Sequence, residues 1–182
     1  MDNEKAKNLV TFWFSERVEK LWYNSTPEFD KELEQKFSSL YQDARDEKLN
    51  DWKTTATGCL ALIIVFDQYP LNVYRNNKQS FATEKVAIEI AEHCIKQGFD
   101  KKLSNTQRSF VYLPFMHSED IAHQKRSIEL FRDLDPDNFT YAQHHHDIVE
   151  QYGRFPHRNS ILKRVSTPAE LDYLSSKEAF TG

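Results

Sequence analysis

A chain of 182 residues with 24 basic and 28 acidic side chains carries a formal charge of −4, which excludes a global basic field for a nucleic-acid backbone. With only 4 glycines and 6 prolines there is no room for long flexible linkers, and one helical domain over residues 1–182 is expected. The opening MDNEKAKNLVTFWF carries acids and lacks a long apolar stretch, so it does not read as a secretory signal.

Nearly every segment repeats its apolar residues at helical spacing, and no segment alternates as a strand would. A first helix is expected over about Glu4–Ser15. In STPEFDKELEQKFSSLYQDARDEK, Ser25 and Thr26 are cap candidates, Pro27 takes the first helical position, and Phe29, Leu33, Phe37, Leu40 and Tyr41 form one stripe.

TTATGCLALIIVFDQY is apolar all round, which predicts the most buried helix of the domain, ended by Pro70. Its longest unbroken apolar run, CLALIIVF, is far shorter than the ~20 residues that span a bilayer, so no membrane segment is expected. Cys59 and Cys94 fall inside helical patterns without metal-like spacing and read as two buried free thiols. That fits a reducing compartment and a cytoplasmic protein.

LNVYRNNKQS reads as an irregular connector. A helix over about Phe81–Gln97 keeps Val86, Ile90 and Cys94 in phase and stops at Gly98. Another runs from Ser104 into Pro114, and HSEDIAHQKRSIELFRDLD forms a long helix ended by Pro136. Asn138–Tyr152 follows and stops at Gly153. STPAELDYL shows a capping box, Thr167 with Glu170, and Pro168 at the first helical position. The fold class is therefore all-α, seven to eight helices with no sheet.

Helical phase makes some polar residues informative. His145 falls inside the stripe of Tyr141, Ala142, Ile148, Val149 and Tyr152, with His144 and His146 to either side. Gln124 sits between Ile121, Ile128 and Phe131, and His117 shares that face if the helix extends back one turn. Asp67 and Gln68 follow directly on LIIVF. Buried polar groups must be hydrogen-bonded, so these residues either satisfy one another or line a solvated cavity.

YGRFPHRN concentrates Arg154, His157, Arg158 and Asn159 around a fixed turn, since Gly153 suits the left-handed region and Pro156 holds Phe155 extended. Guanidinium forks suit carboxylate or phosphate, and Arg75 and Arg164 could add to the same field. The alternative is that these arginines pair with Asp67, Glu119 or Asp120 and brace the fold.

FDQYPLNVYRNN, SFATEKVA, YLPFMHSED with Gln124, HHDIVEQYGRFPHRN and STPAEL occur in this order over residues 66–171. With FWF and LWY near the start, this series resembles the bacterial domain of unknown function 924 family over nearly the whole chain. The matching positions are Asp67, Gln68, Asn72, Arg75, His117, Ser118, Glu119, Gln124, His145 and Gly153 to Asn159. The resemblance implies an all-helical fold similar to tetratricopeptide-repeat proteins, helices packed as antiparallel hairpins in a superhelix, and no established activity. The chain departs from the family's usual wording at Leu71, at Gln151–Tyr152 and at Lys163.

Two functions follow from these residues. In the first, Asp67, Gln68, Arg75, Glu119, Gln124, Arg154, His157, Arg158 and Asn159 line a pocket for a small anionic molecule or a peptide carboxylate. His117 and His145 are then the proton-transferring candidates for acid-base catalysis, and whether the chain is an enzyme stays open. In the second, the same cluster is structural and the helices form a scaffold for a partner protein or peptide. No cofactor or metal is expected. Consecutive histidines on a helix point ~100° apart and cannot share one ion, although His145 with His117 and a carboxylate could meet from separate helices.

Overall fold

The computed structural model describes residues 4–180. It is all-α, with no strand among the described residues. In chain order the helices are α1 (Glu4–Trp13), α2 (Glu16–Glu19), α3 (Pro27–Arg45), α4 (Ala56–Ile63), α5 (Tyr69–Val73), α6 (Glu84–Lys96), α7 (Asn105–His117), α8 (Ile121–Phe131), α9 (Pro136–Tyr152) and α10 (Pro168–Ser175). The chain divides into two compact units, Met1–Arg75 with Gln79–Pro114 and Asn76–Lys78 with Phe115–Gly182.

The first unit is built around α4. Cys59, Leu60, Ala61 and Ile63 are fully buried there, because α1 and α6 pack against α4. Gly58 permits the turn at Asn50–Thr54 to lie close against the start of α4: a Cβ at that position would lie 2.0 Å from the Trp52 carbonyl oxygen. Cys59 and Cys94 are buried and unbonded thiols.

Pro70 does not end the helix. Residues Ile64–Gln68 form a π turn, and the helical path continues through Pro70 to Val73. Proline has no N–H to offer the Phe66 carbonyl four residues back. That acceptor is taken instead by the Thr83 hydroxyl at 2.6 Å, so the helix pays little for the missing bond. The resulting run, Ala56–Val73, is apolar and long enough by composition and length to cross a membrane. Within this structure 78% of it is buried, as in a core helix.

In the second unit, α8 and α9 pack against each other across the connection 132–135. Asp135 caps α9 by accepting from the N–H groups of Asp137 and Asn138. Gly153, at φ 69°, ends it in the left-handed region with its N–H on the Val149 carbonyl at 2.8 Å. The inward face of α9 is Ala142, His145, Ile148 and Val149. Tyr141, expected on that face, is 59% exposed.

On α8, Gln124 and Phe131 point inward as their phase predicts, together with Ser127, whereas Ile121 is exposed. The helix begins at Ile121 rather than extending back to His117, because α7 continues past Pro114 and ends at His117. Asp120 caps α8 by accepting the Ala122 N–H at 2.7 Å, and Ser118 accepts the Asp120 N–H at 3.1 Å.

Candidate functional site

Asp67, Gln68 and Arg75 lie in the first unit. The π turn places Asp67 and Gln68 in the interior, where Gln68 Nε2 donates to Asp67 Oδ2 at 2.6 Å. Asn72 Nδ2 donates to the Gln68 carbonyl at 2.8 Å. Arg75 is exposed, and bonds Asn72 Oδ1 at 3.2 Å and Asp30 Oδ2 at 3.3 Å.

The other expected residues lie in the second unit, and two of them, Gln124 and Arg158, converge on the end of α7. A helix leaves its last carbonyls without helical partners. Here Gln124, fully buried, donates from Nε2 to the carbonyls of Met116 at 2.7 Å and Ser118 at 2.5 Å. Arg158 donates from Nη2 to the His117 carbonyl at 2.7 Å, with its guanidinium 4.7 Å above the Phe155 ring. A cation at this position also complements the negative end of the helix dipole.

Glu119 is held by a fork. Its two oxygens accept from Arg164 Nη1 at 2.7 Å and Nη2 at 2.9 Å, and from the Phe155 N–H at 2.8 Å. Burial pushes its carboxyl up, but the Arg164 fork, the Phe155 N–H and the nearby Arg158 charge outweigh it and hold it below the usual carboxylate range. Asn159 accepts from Arg164 Nε at 3.0 Å and donates to Ser166 Oγ at 3.0 Å.

Arg154 makes a second fork, with Nε and Nη2 on the two oxygens of Glu170 at 2.6 and 2.8 Å. Glu170 also closes the capping box of α10 by accepting the Thr167 N–H. Arg154 above all, together with the backbone at Thr167, pulls the Glu170 carboxyl down to about 2.

His145 is buried and donates from Nδ1 to the Tyr141 carbonyl at 2.8 Å; that acceptor fixes the proton on Nδ1. Burial first, then the neighbouring His117, His144 and His157, lowers its pKa to about 3. Burial and the Arg158 charge lower that of His157 to about 4. Both imidazoles are therefore neutral in the folded protein near pH 7. The His117 side chain is half-buried at the last turn of α7.

Three participants stand outside the expected site. Glu170 was legible only as a cap residue, and Arg164 only as a further cation. Phe180 had no signal, since it follows the last helix. Its ring lies 4.5 Å from that of His145 and 5.0 Å from that of His157. Beside it a groove of about 370 Å³ runs between α9 and the chain after α10, lined by His144, Ile148, Tyr152, Tyr173 and Glu178.

The three consecutive histidines separate as helical phase requires: His144 exposed, His145 buried, His146 half-buried. Among the described residues, the group whose ligand atoms come close enough for a metal is His146, Asp147 and Glu150, within 4.8 Å on the outer side of α9.

A solved structure of a protein of unknown function from Agrobacterium tumefaciens is similar to this one with a TM-score of 0.91 and 37% sequence identity, covering 94% of this chain and 97% of that one. No curated protein matches the chain. The family model described as "Bacterial protein of unknown function (DUF924)" matches residues 9–178, and the chain belongs to that family.

Proposed function

We propose that this protein is a helical interaction scaffold that binds a partner polypeptide, and that its histidine and arginine cluster is an internal brace. The observation that carries this reading is the engagement of the guanidinium groups. Arg154 is forked on Glu170, Arg164 is forked on Glu119, and Arg158 bonds the end of α7. An incoming anion would have to displace a carboxylate already held in bidentate geometry, which removes most of the gain from binding.

The neutral, buried His145 with its Nδ1 proton committed to Tyr141 adds to the case for a structural role. A polypeptide partner also agrees with the net charge of −4, which disfavours nucleic acid. The reading needs no cofactor or metal.

A thermal-shift screen of the parent protein and its Arg158→Ala variant against small anionic metabolites, divalent metals and peptides tests it. A ligand at ~100 times its dissociation constant adds about 2.7 kcal/mol, several degrees for a chain of this size. The expected result is no response to anions or metals, and a variant that melts well below the parent. An anionic metabolite that stabilises the parent but not an otherwise equally stable variant would overturn the reading and restore a small-anion pocket.

A further inference from the structure

The chain after α10 does not trail away. Phe180 packs its ring against the core cluster of Ile148, Val149 and Phe155, joined by Tyr152 and Tyr173. Its nearest ring neighbours are the imidazoles of His145 at 4.5 Å and His157 at 5.0 Å, both met edge-on, with His144 at 6.2 Å and Phe155 at 6.4 Å. Edge-to-face contacts of this kind select a planar aromatic ring by shape and by quadrupole. The floor and walls belong to α9 and the 153–158 turn, which the Gly153 cap, the Glu119 bond to Phe155 and the Arg158 bond hold in place without help from Phe180.

The strap that delivers this ring follows α10 as a turn, in which Ala179 N–H bonds the Ser176 carbonyl and Glu178 N–H the Ser176 hydroxyl. After Ser175 the chain has no helix, Lys177 and Glu178 are exposed, and Phe180 is only half-buried. The Phe180 N–H is donated to the Tyr173 hydroxyl at 2.9 Å. A non-helical segment with exposed side chains belongs to the low-stability part of a fold.

We propose that the hollow formed by His145, His157 and Phe155 is a recognition site for an aromatic side chain of a partner peptide, and that Phe180 occupies it as a tethered stand-in. This deepens, and rests on, the scaffold reading. The neighbouring groove of about 370 Å³, with Ile148, Tyr152 and Tyr173 along it, gives room for the residues beside the anchor. Its carboxylate on α9, Asp147, favours a peptide with a basic residue near the aromatic one. Burial keeps His145 and His157 uncharged, which suits an apolar ring in the hollow.

A tethered ring acts as a competitor at millimolar effective concentration, so the parent protein is partly self-blocked. The test uses the full chain, with a fluorescein-labelled peptide of its own last eight residues, SSKEAFTG, as the probe. Anisotropy should show the probe binding the Phe180→Ala variant at least tenfold more tightly than the parent. The same peptide with its phenylalanine replaced by alanine should bind neither.

Equal affinity of parent and variant, or equal binding of the two peptides, overturns the proposal. If circular dichroism shows Phe180→Ala to be poorly folded, Tyr173→Phe carries the test, since it removes only the hydroxyl that ties the strap. A severalfold gain in probe affinity is then expected, and no gain overturns the proposal. Self-association of the parent that Phe180→Ala abolishes would make a second copy's tail the occupant and overturn it too. A partner polypeptide that binds parent and Phe180→Ala alike would remove this site while leaving the scaffold reading intact.

Discussion

Arg158 reaches back 41 residues to donate a 2.7 Å hydrogen bond to the carbonyl of His117, the last residue of α7. The bond is charge-assisted, sits at the negative end of a helix, and is nearly closed to solvent, with Arg158 5% exposed. Removing it should cost roughly 2–4 kcal/mol, from a hydrogen bond to a charged group plus the dipole contribution. Arg158→Lys should recover only part, because an ammonium loses the planar contact with Phe155. Urea unfolding of both variants checks this. A loss below about 0.5 kcal/mol, within the range of an ordinary surface substitution, would show that the bond braces nothing.

Gln124 does the same work for the carbonyls of Met116 and Ser118 from inside the protein. Gln124→Leu keeps the volume and strands these acceptors away from water. We expect a loss of about 1–3 kcal/mol without loss of helical content. Parent-like stability, read by circular dichroism during thermal unfolding, would mean that water caps the end of α7 equally well.

Acid should unfold this protein earlier than its carboxylates alone would dictate. His145 and His157 titrate near 3 and 4 in the folded state, below the ordinary imidazole value of 6.5. As pH falls below 6.5 the unfolded chain takes up protons that the folded one refuses, so stability drops. The slope is about 1.4 kcal/mol per pH unit for each histidine, until the folded values are reached. Glu119 and Glu170 are depressed as well; their stabilisation, present above the usual carboxylate range, fades at lower pH, for Glu170 down to about 2. Unfolding free energies at pH 7, 6 and 5 should therefore decline, and His157→Phe should remove about one proton's worth of slope. A flat profile from pH 7 to 5 would place both imidazoles in contact with solvent.

What was legible in the sequence was what local rules decide. Thr26 with Pro27, Thr167 with Glu170 and Gly153 mark helix ends because a cap involves residues three or four apart. His145 could be placed inside by phase alone. The arginine partners were legible only in part: Glu119 was among the acids named, and Arg164 finds it 45 residues back, but Arg154 finds Glu170, 16 residues on, which no pattern paired with it. Composition shows that such charges exist, but topology decides which of them meet. The phase of α8 placed Gln124 and Phe131 inside correctly and Ile121 wrongly, because the inward face turns toward Gln124 and Ser127, which serve the turn that precedes the helix. Phe180 lies beyond any periodic segment, so no pattern marked it.

The passage of the helix through Pro70 was likewise invisible, because its remedy lies 17 residues downstream of the carbonyl that needs it. Thr83 supplies its hydroxyl to the Phe66 carbonyl at 2.6 Å. Thr83→Val keeps the shape and removes this bond, so a buried acceptor loses its partner, at about 1–3 kcal/mol. Thr83→Ser should retain most of the parent stability. Pro70→Ala offers a new N–H toward Phe66 and should reduce the cost of Thr83→Val when the two are combined. The double-mutant cycle from urea unfolding therefore has a coupling energy of at least about 0.5 kcal/mol. Simple additivity would show that the carbonyl left by Pro70 needs no partner.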